Sequence, residues 1–192
     1  GNDKIVNQIV NIIAPKNDIT LGIIPIGEKN KIAELLGIPQ AELACSVLSG
    51  RKIEKLDIGK IDKQFYFLSG AIIPSKGVKL KFDEGFTITP IDEEGYISIY
   101  NFYCPMNNQS ICNDPQNGLL EVSVETKPIT NPFKKMNAKN QLPSIFPIKK
   151  VTVIGKKTAP IIVDCEIVAK TPAVFRVAPQ KLKVIVGKER LF

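Results

Sequence analysis

The first apolar residues of the chain recur at helical spacing. Within residues 3–13 the apolar positions are Ile5, Val6, Ile9, Val10 and Ile13, and the polar positions between them include Lys4, Asn7, Gln8 and Asn11. Spacings of three and four place each set on its own side of a helix. The pattern therefore predicts a helix over residues 3–13 that packs on its apolar side and ends before Pro15, which cannot continue it.

A continuous apolar run follows this helix. Residues 19–26 read "ITLGIIPI" and are closed by Gly27, which is typical of a strand buried in a parallel sheet. A second helix is predicted over residues 29–36, with Gly37 just beyond its C-terminal end. The segment "QAELACSVLSG", residues 40–50, predicts one more helix. The order of helix, buried strand and helix is that of an α/β layer.

The pattern changes after about residue 50. From Arg51 onward, short alternating or β-branched segments are separated by turn residues, which favours antiparallel strands in a sandwich or barrel. Residues 129–147 are rich in Pro, Asn and Lys and predict a long connection. The expected fold class is α+β: a partial α/β unit over residues 1–45, followed by an antiparallel β-sandwich over residues 46–192.

The predicted α/β unit is an incomplete layer. One strand with two or three helices cannot make a sheet that is covered on both faces. Its apolar surfaces must therefore be covered by the β-rich domain, by another chain or by residues outside this sequence. An apolar face on the first helix would also support self-association into a homo-oligomer.

Charge defines the partners that the chain would accept. The net charge is +7 and the pI is about 9.2, which is compatible with phosphates, nucleic acid or an anionic lipid surface. The lysines are scattered, however, and four tyrosines without any tryptophan offer little for stacking on bases. Nucleic-acid binding is therefore disfavoured, and phosphates, a lipid substrate or an anionic membrane surface stay open as partners.

Cysteine and histidine content argues against a metal site. The chain has no histidine and no C-x-x-C pair among Cys45, Cys104, Cys112 and Cys165, so no zinc site is expected. Cys104 and Cys112 flank one loop and would pair only in an oxidising compartment. With no signal peptide and no apolar run near the ~20 residues that span a bilayer, we expect a cytoplasmic protein that acts, at most, peripherally at a membrane.

Four stretches of the chain, in order, resemble motifs of one enzyme family. These are "GNDKIVNQIVN" (1–11), "LGIIPIGEKNKIAELLGIP" (21–39), "NGLLEVSV" (117–124) and "IIVDCEIVAKTPAVFRVAPQKLKVIV" (161–186). They are similar, respectively, to G-G-D-G-T-x-N-E-V-x-N, to L-G-I-I-P-L-G-T-G-N-D-F-A-R-x-L-G-I-P, to D-G-L-L-D-V-x-V, and to D-G-E followed by P-x-x-x-x-V-x-P-x-x-L-x-V. The family is that of the diacylglycerol kinase catalytic domain, which includes the sphingosine and ceramide kinases.

The resemblance implies a nucleotide domain like that of NAD kinases, a β-sandwich and ATP in the cleft between them. It implies that the chain begins at the family's phosphate loop, with the earlier part of the nucleotide domain lying upstream or lost. It also assigns roles to seven residues. Those around the nucleotide are Gly1, Asp3, Asn7, Gly27 and Asn30, and those with catalytic carboxylates are Asp164, as general base, and Glu166. The cofactors implied are ATP and Mg²⁺. A structural role for Asp164, capping a neighbouring turn, remains the alternative.

The chain departs from the family pattern at both nucleotide loops. Lys4 and Ile5 stand where the family has Gly and Thr, and Glu28 stands where it has Thr. Gln116 and Asn117 occupy positions that are often acidic in the family and help to organise a metal. The reaction implied by the resemblance is phosphorylation of a lipid hydroxyl, and these changes predict that it is impaired in this chain.

Two other functions remain open at this point. The first is a non-catalytic module that holds a lipid or a protein on its sandwich and basic surface. The second is a folded part of a longer, active enzyme.

Overall fold

The computed structural model describes residues 1–16, 18–63, 65–91, 94–102, 113–125 and 144–192. Within these ranges the helices are α1 (Asp3–Ile13), α2 (Lys31–Leu35) and α3 (Leu43–Gly50). The strands are β1 (Thr20–Leu21), β2 (Ile53–Ile61), β3 (Phe65–Phe67), β4 (Gly70–Pro74), β5 (Val78–Phe82), β6 (Thr87–Ile88), β7 (Tyr96–Tyr100), β8 (Leu120–Glu125), β9 (Ser144–Ile148), β10 (Lys150–Gly155), β11 (Pro160–Val163), β12 (Glu166–Lys170) and β13 (Ala173–Ile185). None of these helices combines the length and the apolar character needed to cross a bilayer.

The strands form two sheets. The first sheet has the order β3-β2-β13-β10-β5-β6, with β1 added in parallel to β13, and the second has the order β12-β11-β4-β7-β8-β9. The other strand pairs of both sheets are antiparallel. The predicted antiparallel sheets are confirmed, and the described chain is mostly β with a few helices. The interpretation of the first residues as part of an α/β nucleotide unit stays a prediction.

One apolar core lies between the sheets. Strand β5 shows how the sequence pattern produces this core. Val78, Leu80 and Phe82 are buried in it, while Lys79 and Lys81 between them are exposed. Alternation of this kind sends every second side chain to the same face of a strand. Strands of the second sheet supply the facing apolar side chains, such as Ile97 and Val122, so the two sheets pack as a sandwich. We call this cluster the sandwich core.

A second core lies under the helices. It joins Val10 of α1 and Leu35 of α2 to Leu56 on β2 and Val184 on β13, all of which are buried. The longest strand pair in the protein, β2 with β13, thus serves the sandwich core at one end and this helical core at the other. The helical layer is therefore covered on one side by the β-rich part of the chain. The division into residues 1–45 and 46–192 stays a prediction.

The predicted buried strand over residues 19–26 is wrong in length and in burial. Only Thr20–Leu21 pairs, in parallel with β13 as the run suggested, and the side chains of Ile24 and Ile26 are 38% and 67% exposed. Pro25 has no N–H to give to a ladder, and β1 pairs with one strand alone among the described residues. Apolar composition was therefore a poor guide to burial here.

The packed side of α1 also differs from the prediction. Asn7 is buried although it was assigned to the polar side, whereas Ile5, Ile9 and Ile12 are 48%, 37% and 58% exposed. The helix has apolar residues around more of its circumference than its buried face needs, and tertiary contacts of Asn7 decide which side turns inward. The exposed apolar face that was expected is present, on the side of Ile9. Self-association through this face stays a prediction.

Two further predictions concern the region after β8. Residues 144–147 are part of strand β9 rather than of a long connection. The remainder of the predicted connection lies outside the described residues, as do Cys104 and Cys112. Cys45 and Cys165 are free and exposed.

Candidate functional site

Asp164 lies in a two-residue turn that joins β11 to β12. Val163 and Glu166 face each other across the hairpin, and the residues between them, Asp164 and Cys165, have φ angles of 49° and 67°. Tight hairpins favour positive φ at both central positions, which Asp tolerates and Gly adopts freely. This geometry explains why a D-G pair suits the position, and it presents Asp164 at the tip of the hairpin. Asp164 is a turn residue and not a strand residue.

Asn7 connects helix α1 to this turn. Its side-chain Nδ2 donates hydrogen bonds to Asp164 Oδ2 and, at 2.9 Å, to Ser69 Oγ, while its Oδ1 accepts from the backbone N–H of Leu68 at 2.7 Å. Asn7 is 3% exposed, and its bonds to Ser69 and Leu68 are buried, whereas its bond to Asp164 is partly buried. One side chain therefore fixes α1 against two segments of the sandwich.

Asn11 repeats this arrangement one turn later. Its amide donates to the carbonyl oxygen of Tyr66 and accepts from the N–H of Tyr66, both at 2.7 Å. Its amide nitrogen also reaches the carbonyl oxygen of Asn7 at 2.9 Å. Sequence reasoning placed Asn11 on the solvent side and gave it no role. The signal that would have found it is its spacing of four from Asn7, because such pairs lie on one helix face.

Ser69 is the second residue that sequence reasoning missed. It is buried, and it hydrogen-bonds the carboxylate of Asp164 as well as accepting from Asn7. The sequence does not indicate that Ser69 binds a carboxylate, because a serine before a glycine is typical of a turn. Ser69 and Asn7 together orient Asp164 from the interior.

Lys4 and Glu166 close the outer side of the same site. Lys4 Nζ lies 2.6 Å from Glu166 Oε1, and both side chains are about half exposed, at 47% and 50%. The hydrogen bond with Glu166 raises the pKa of Lys4. Lys4 stands at a position where the family has Gly, so this ion pair crosses from α1 to β12 at a place where the family pattern has no side chain.

Burial sets the electrostatics of Asp164. It raises the pKa of Asp164 above the usual Asp value, since the charged form is disfavoured away from water. Hydrogen bonds from Asn7 and Ser69 oppose that shift, the nearby charge of Glu166 adds to it and that of Lys4 opposes it, and the net effect is a raised pKa. A carboxylate of this kind holds a proton more readily than a surface Asp does, which suits acid–base chemistry.

These residues line a cleft with a volume of about 230 Å³. Its walls include Lys4 and Asn7 from α1, Phe65 from β3, and Asp164 and Glu166 from the hairpin. The cleft thus has a floor with apolar groups and a rim with one cation and two carboxylates. A hydroxyl-bearing group that entered it would meet Asp164.

Asp3 organises the other half of the site. Its Oδ2 accepts from the backbone N–H of Lys31 and its Oδ1 from that of Ile32, each at 3.0 Å, and its own N–H donates to the carbonyl oxygen of Lys29 at 3.0 Å. Asp3 is 6% exposed. Its carboxylate thus anchors the first turn of α2 to the start of α1 and holds the bend of residues 27–30 in place.

The bend itself is open to solvent. Gly27 has a φ of 81°, and a Cβ built there would meet no atom within 4 Å. Asn30 Nδ2 donates to the carbonyl oxygen of Gly27 at 2.7 Å, while Asn30 Oδ1 is buried without a hydrogen-bond partner. Gly1 packs against Ile5, whose side chain lies 3.0 Å from where a Cβ of Gly1 would stand. The seven predicted residues thus lie along α1, the bend that Asp3 holds and the hairpin that Asn7 holds.

The loop that carries Gln116 and Asn117 is tied to the opposite end of β2. The side-chain nitrogen of Gln116 donates a hydrogen bond to the carbonyl oxygen of Lys55 at 3.0 Å, and Asn117 Oδ1 accepts one from the N–H of Leu119 at 2.8 Å. Buried Asp57 accepts from the N–H groups of Gly118 at 2.6 Å and Gln180 at 2.7 Å. These side chains therefore stabilise loops. Across the described ranges, no group of three or more His, Cys, Asp or Glu residues is arranged to hold a metal.

Comparison with known proteins agrees with the resemblance. Residues 1–61 match the family model of the diacylglycerol kinase catalytic domain. A segment of 70 residues is 39% identical to the diacylglycerol kinase of Bacillus subtilis (strain 168), and it covers 34% of this chain and 23% of that protein. The chain thus matches less than a quarter of the length of this relative.

Solved structures extend the comparison to the whole fold. A crystal structure of a diacylglycerol kinase from Bacillus anthracis str. Sterne superimposes with a TM-score of 0.76 at 19% identity, covering 100% of this chain and 76% of that one. A putative diacylglycerol kinase from the same organism gives 0.77 at 21% identity, covering 98% and 75%. The predicted resemblance is confirmed: residues 1–61 match the family model of the diacylglycerol kinase catalytic domain, and the chain has the fold of these solved structures.

Proposed function

We propose that this chain carries out ATP-dependent phosphorylation of a lipid hydroxyl of the diacylglycerol type, at a reduced rate. The observation that supports this most directly is the position of Asp164, which Asn7 and Ser69 hold beside the cleft. Helix α1, which forms one wall of this cleft, also carries the first nucleotide motif. Phosphoryl transfer needs positioned phosphates and a base for the attacking hydroxyl, with little covalent chemistry by the protein. The arrangement of α1 offers both within two helical turns.

Asp164 is the base in this proposal. It accepts the proton of the lipid hydroxyl as that oxygen bonds to the γ-phosphorus, while the bond from this phosphorus to the bridging oxygen breaks and ADP leaves. Its raised pKa makes it a better proton acceptor than a surface Asp. Glu166 acts through Asp164: it lies two residues away at the same cleft, and its negative charge adds to the raised pKa of Asp164. Glu166 is thus a positioning residue.

The bend of residues 27–30 fits the nucleotide. The open space at Gly27 admits a phosphate close to the backbone. Mg²⁺ commonly binds through substrate phosphates with one or two carboxylates, and exposed Glu166 would be such a carboxylate on the protein side. ATP supplies the phosphoryl group, and Mg²⁺ neutralises the charge on its phosphates. Asp3 positions this bend.

Three departures from the family pattern support a reduced rate. Lys4 places a long side chain where Gly would leave room for phosphate, and Ile5 removes a hydroxyl contact. Glu28 adds negative charge beside the phosphates. The reduction is thus located in the nucleotide loops, and the carboxylates of the hairpin are retained.

The test is transfer of labelled γ-phosphate from ATP to diacylglycerol in mixed micelles. We expect measurable transfer that Asp164→Asn abolishes, that Glu166→Gln lowers by a smaller factor, and that Asp83→Asn, on a distant ion pair with Lys150, leaves unchanged. Because the base must be ionised, kcat/KM should rise with pH through the raised pKa of Asp164, above the usual Asp range. The same limb should be present in the Asp83→Asn control.

A gain of activity provides the sharper test. The variant Lys4→Gly with Ile5→Thr restores the family residues at both positions, and it should raise kcat by roughly tenfold or more, since one lost transition-state contact costs at least that. Turnover by the unaltered chain near the ~1 s⁻¹ lower range of kinases would contradict the reduced rate. Transfer equal to that of Asp164→Asn would contradict the kinase activity.

A non-catalytic binding module is the second candidate, and the Lys4–Glu166 ion pair favours it. That pair joins α1 to the hairpin at the mouth of the cleft, which is where an attacking hydroxyl would pass. This candidate predicts that ATP with Mg²⁺ gives no saturable rise in melting temperature. A saturable rise that Gly27→Val removes would contradict it.

A further inference from the structure

The outer face of the first sheet, at the end away from the helices, carries a group of basic side chains. Pairing register places them side by side, because residues directly opposite each other share a face. Arg176 on β13 lies between Lys150 on β10 and Lys60 on β2, while Lys79 and Lys81 occupy the same face of β5. We call these five residues the basic face.

The spacing of the basic face follows from strand geometry. It spans four adjacent strands across the sheet. Along the strands it spans two two-residue steps, because Lys79 lies opposite Ile154, four residues beyond Lys150. These spans correspond to roughly 15 Å by 14 Å. Lys79, Lys81 and Arg176 are exposed, and Lys60 and Lys150 are half-buried. Ile154 lies opposite Lys79 and is 42% exposed, so an apolar side chain lies among the cations.

Acidic residues at the margin neutralise little of this charge. Asp83 forms an ion pair with Lys150 at 2.8 Å, and Asp62 uses Oδ1 to accept from the backbone N–H of Val174. Lys60 lies over the ring of Tyr66 at 5.0 Å. Lys79, Lys81 and Arg176 appear in no ion pair of the described structure, and their charges face outward.

A groove runs from the basic face to the cleft of Asp164. It has a volume of about 500 Å³, and Arg176 and Lys63 lie at its end nearest the basic face. Phe65 and Val168 line both this groove and the cleft, so the groove and the cleft are adjacent. This apolar route begins among cations and ends at a carboxylate. It would suit a lipid molecule that leaves an anionic surface and is modified at its hydroxyl.

We infer that the basic face docks on an anionic lipid bilayer and turns the groove toward it. Each basic side chain near such a surface contributes independently to binding, and salt weakens the attraction within a Debye length. The inference rests on the proposed function in one respect, which is the choice of a lipid bilayer over other polyanions as the partner. The β-sheet face offers an exposed aliphatic residue and no exposed aromatic ring among its outward side chains, which suits headgroups better than bases.

Vesicle sedimentation tests the docking without any need for turnover. The full chain is mixed with phosphatidylcholine vesicles that contain or lack phosphatidylglycerol, at low and at near-physiological salt. We expect binding that requires phosphatidylglycerol and falls with salt. The variant Lys79→Glu/Lys81→Glu/Arg176→Glu should lower vesicle partition by roughly 100-fold or more, since each basic residue contributes about fivefold.

A matched variant separates this face from net charge. Lys16→Glu/Lys52→Glu/Lys188→Glu makes the same change of charge at three exposed lysines of the helical end, and it should retain most of the binding. Equal losses in the two variants, binding to vesicles without phosphatidylglycerol, or tighter binding to duplex DNA at the same salt would each overturn the inference. Docking without phosphoryl transfer would leave the inference intact and contradict the proposed function alone.

Discussion

The sandwich core and the helical core are built on different rules. In the sandwich core, alternate residues of each strand point inward, so that a local two-residue period determines burial. In the helical core, the side of α1 that turns inward is chosen by Asn7 and Asn11, which bind backbone and side-chain groups of β3 and its neighbours. Burial follows local sequence in the first case and distant polar partners in the second. Specific tests can break or sharpen this contrast.

The largest effect is expected from an aromatic residue of the sandwich core. Phe67 is fully buried, packs edge-on against Phe175 at 6.3 Å, and covers Gly59. Phe67→Ala should lower the free energy of unfolding by about 3–5 kcal/mol through lost burial and the cavity left behind. Ile12→Ala on the exposed side of α1 should change it by less than about 0.5 kcal/mol. Urea unfolding measures both, and equal costs would show that the side of Ile12 is covered.

A smaller effect is expected from the polar contact that orients α1. Asn7→Ala removes the partners of the Leu68 N–H, Ser69 and Asp164 in a buried position, and should cost about 2–3 kcal/mol. Gln8→Ala, at the next and exposed position, is the matched control and should cost almost nothing. A cost for Asn7→Ala below that of Gln8→Ala would mean that packing alone orients the helix.

The smallest effect is expected at Cys165, in the β11–β12 turn of the sandwich, where the residue type does not suit the local backbone conformation. Cys165 has a φ of 67°, which an L side chain adopts with strain, so Cys165→Gly should raise the free energy of unfolding by about 1 kcal/mol. The same change at Cys45, exposed on α3, should lower it by roughly 0.5 kcal/mol because glycine weakens helices. Thermal unfolding of the two variants should therefore shift in opposite directions, and shifts of the same sign would contradict the strain.

These contrasts explain which features the sequence revealed. Helix α1 and the strands after residue 50 were predictable because their periods are local. The side on which α1 packs was not predictable, since Ile5, Ile9 and Ile12 satisfy the apolar pattern without being buried. Ser69 could not be found, because its role depends on a turn about a hundred residues away. The burial of residues 19–26 was predicted wrongly because amino-acid composition does not show how many neighbouring strands a segment has. Among the described residues, β1 pairs with β13 alone.

The hydrogen bonds of Asn7 have a consequence for how the molecule assembles. Its single amide group has to satisfy the end of β3, the following serine and the β11–β12 hairpin at once, and these segments are distant in the chain. A partly folded molecule that lacks any one of them leaves the amide unsatisfied. Completion of the carboxylate cleft should therefore be a late, all-or-none step of folding, so that partially folded chains present no half-formed site to bind ligands indiscriminately.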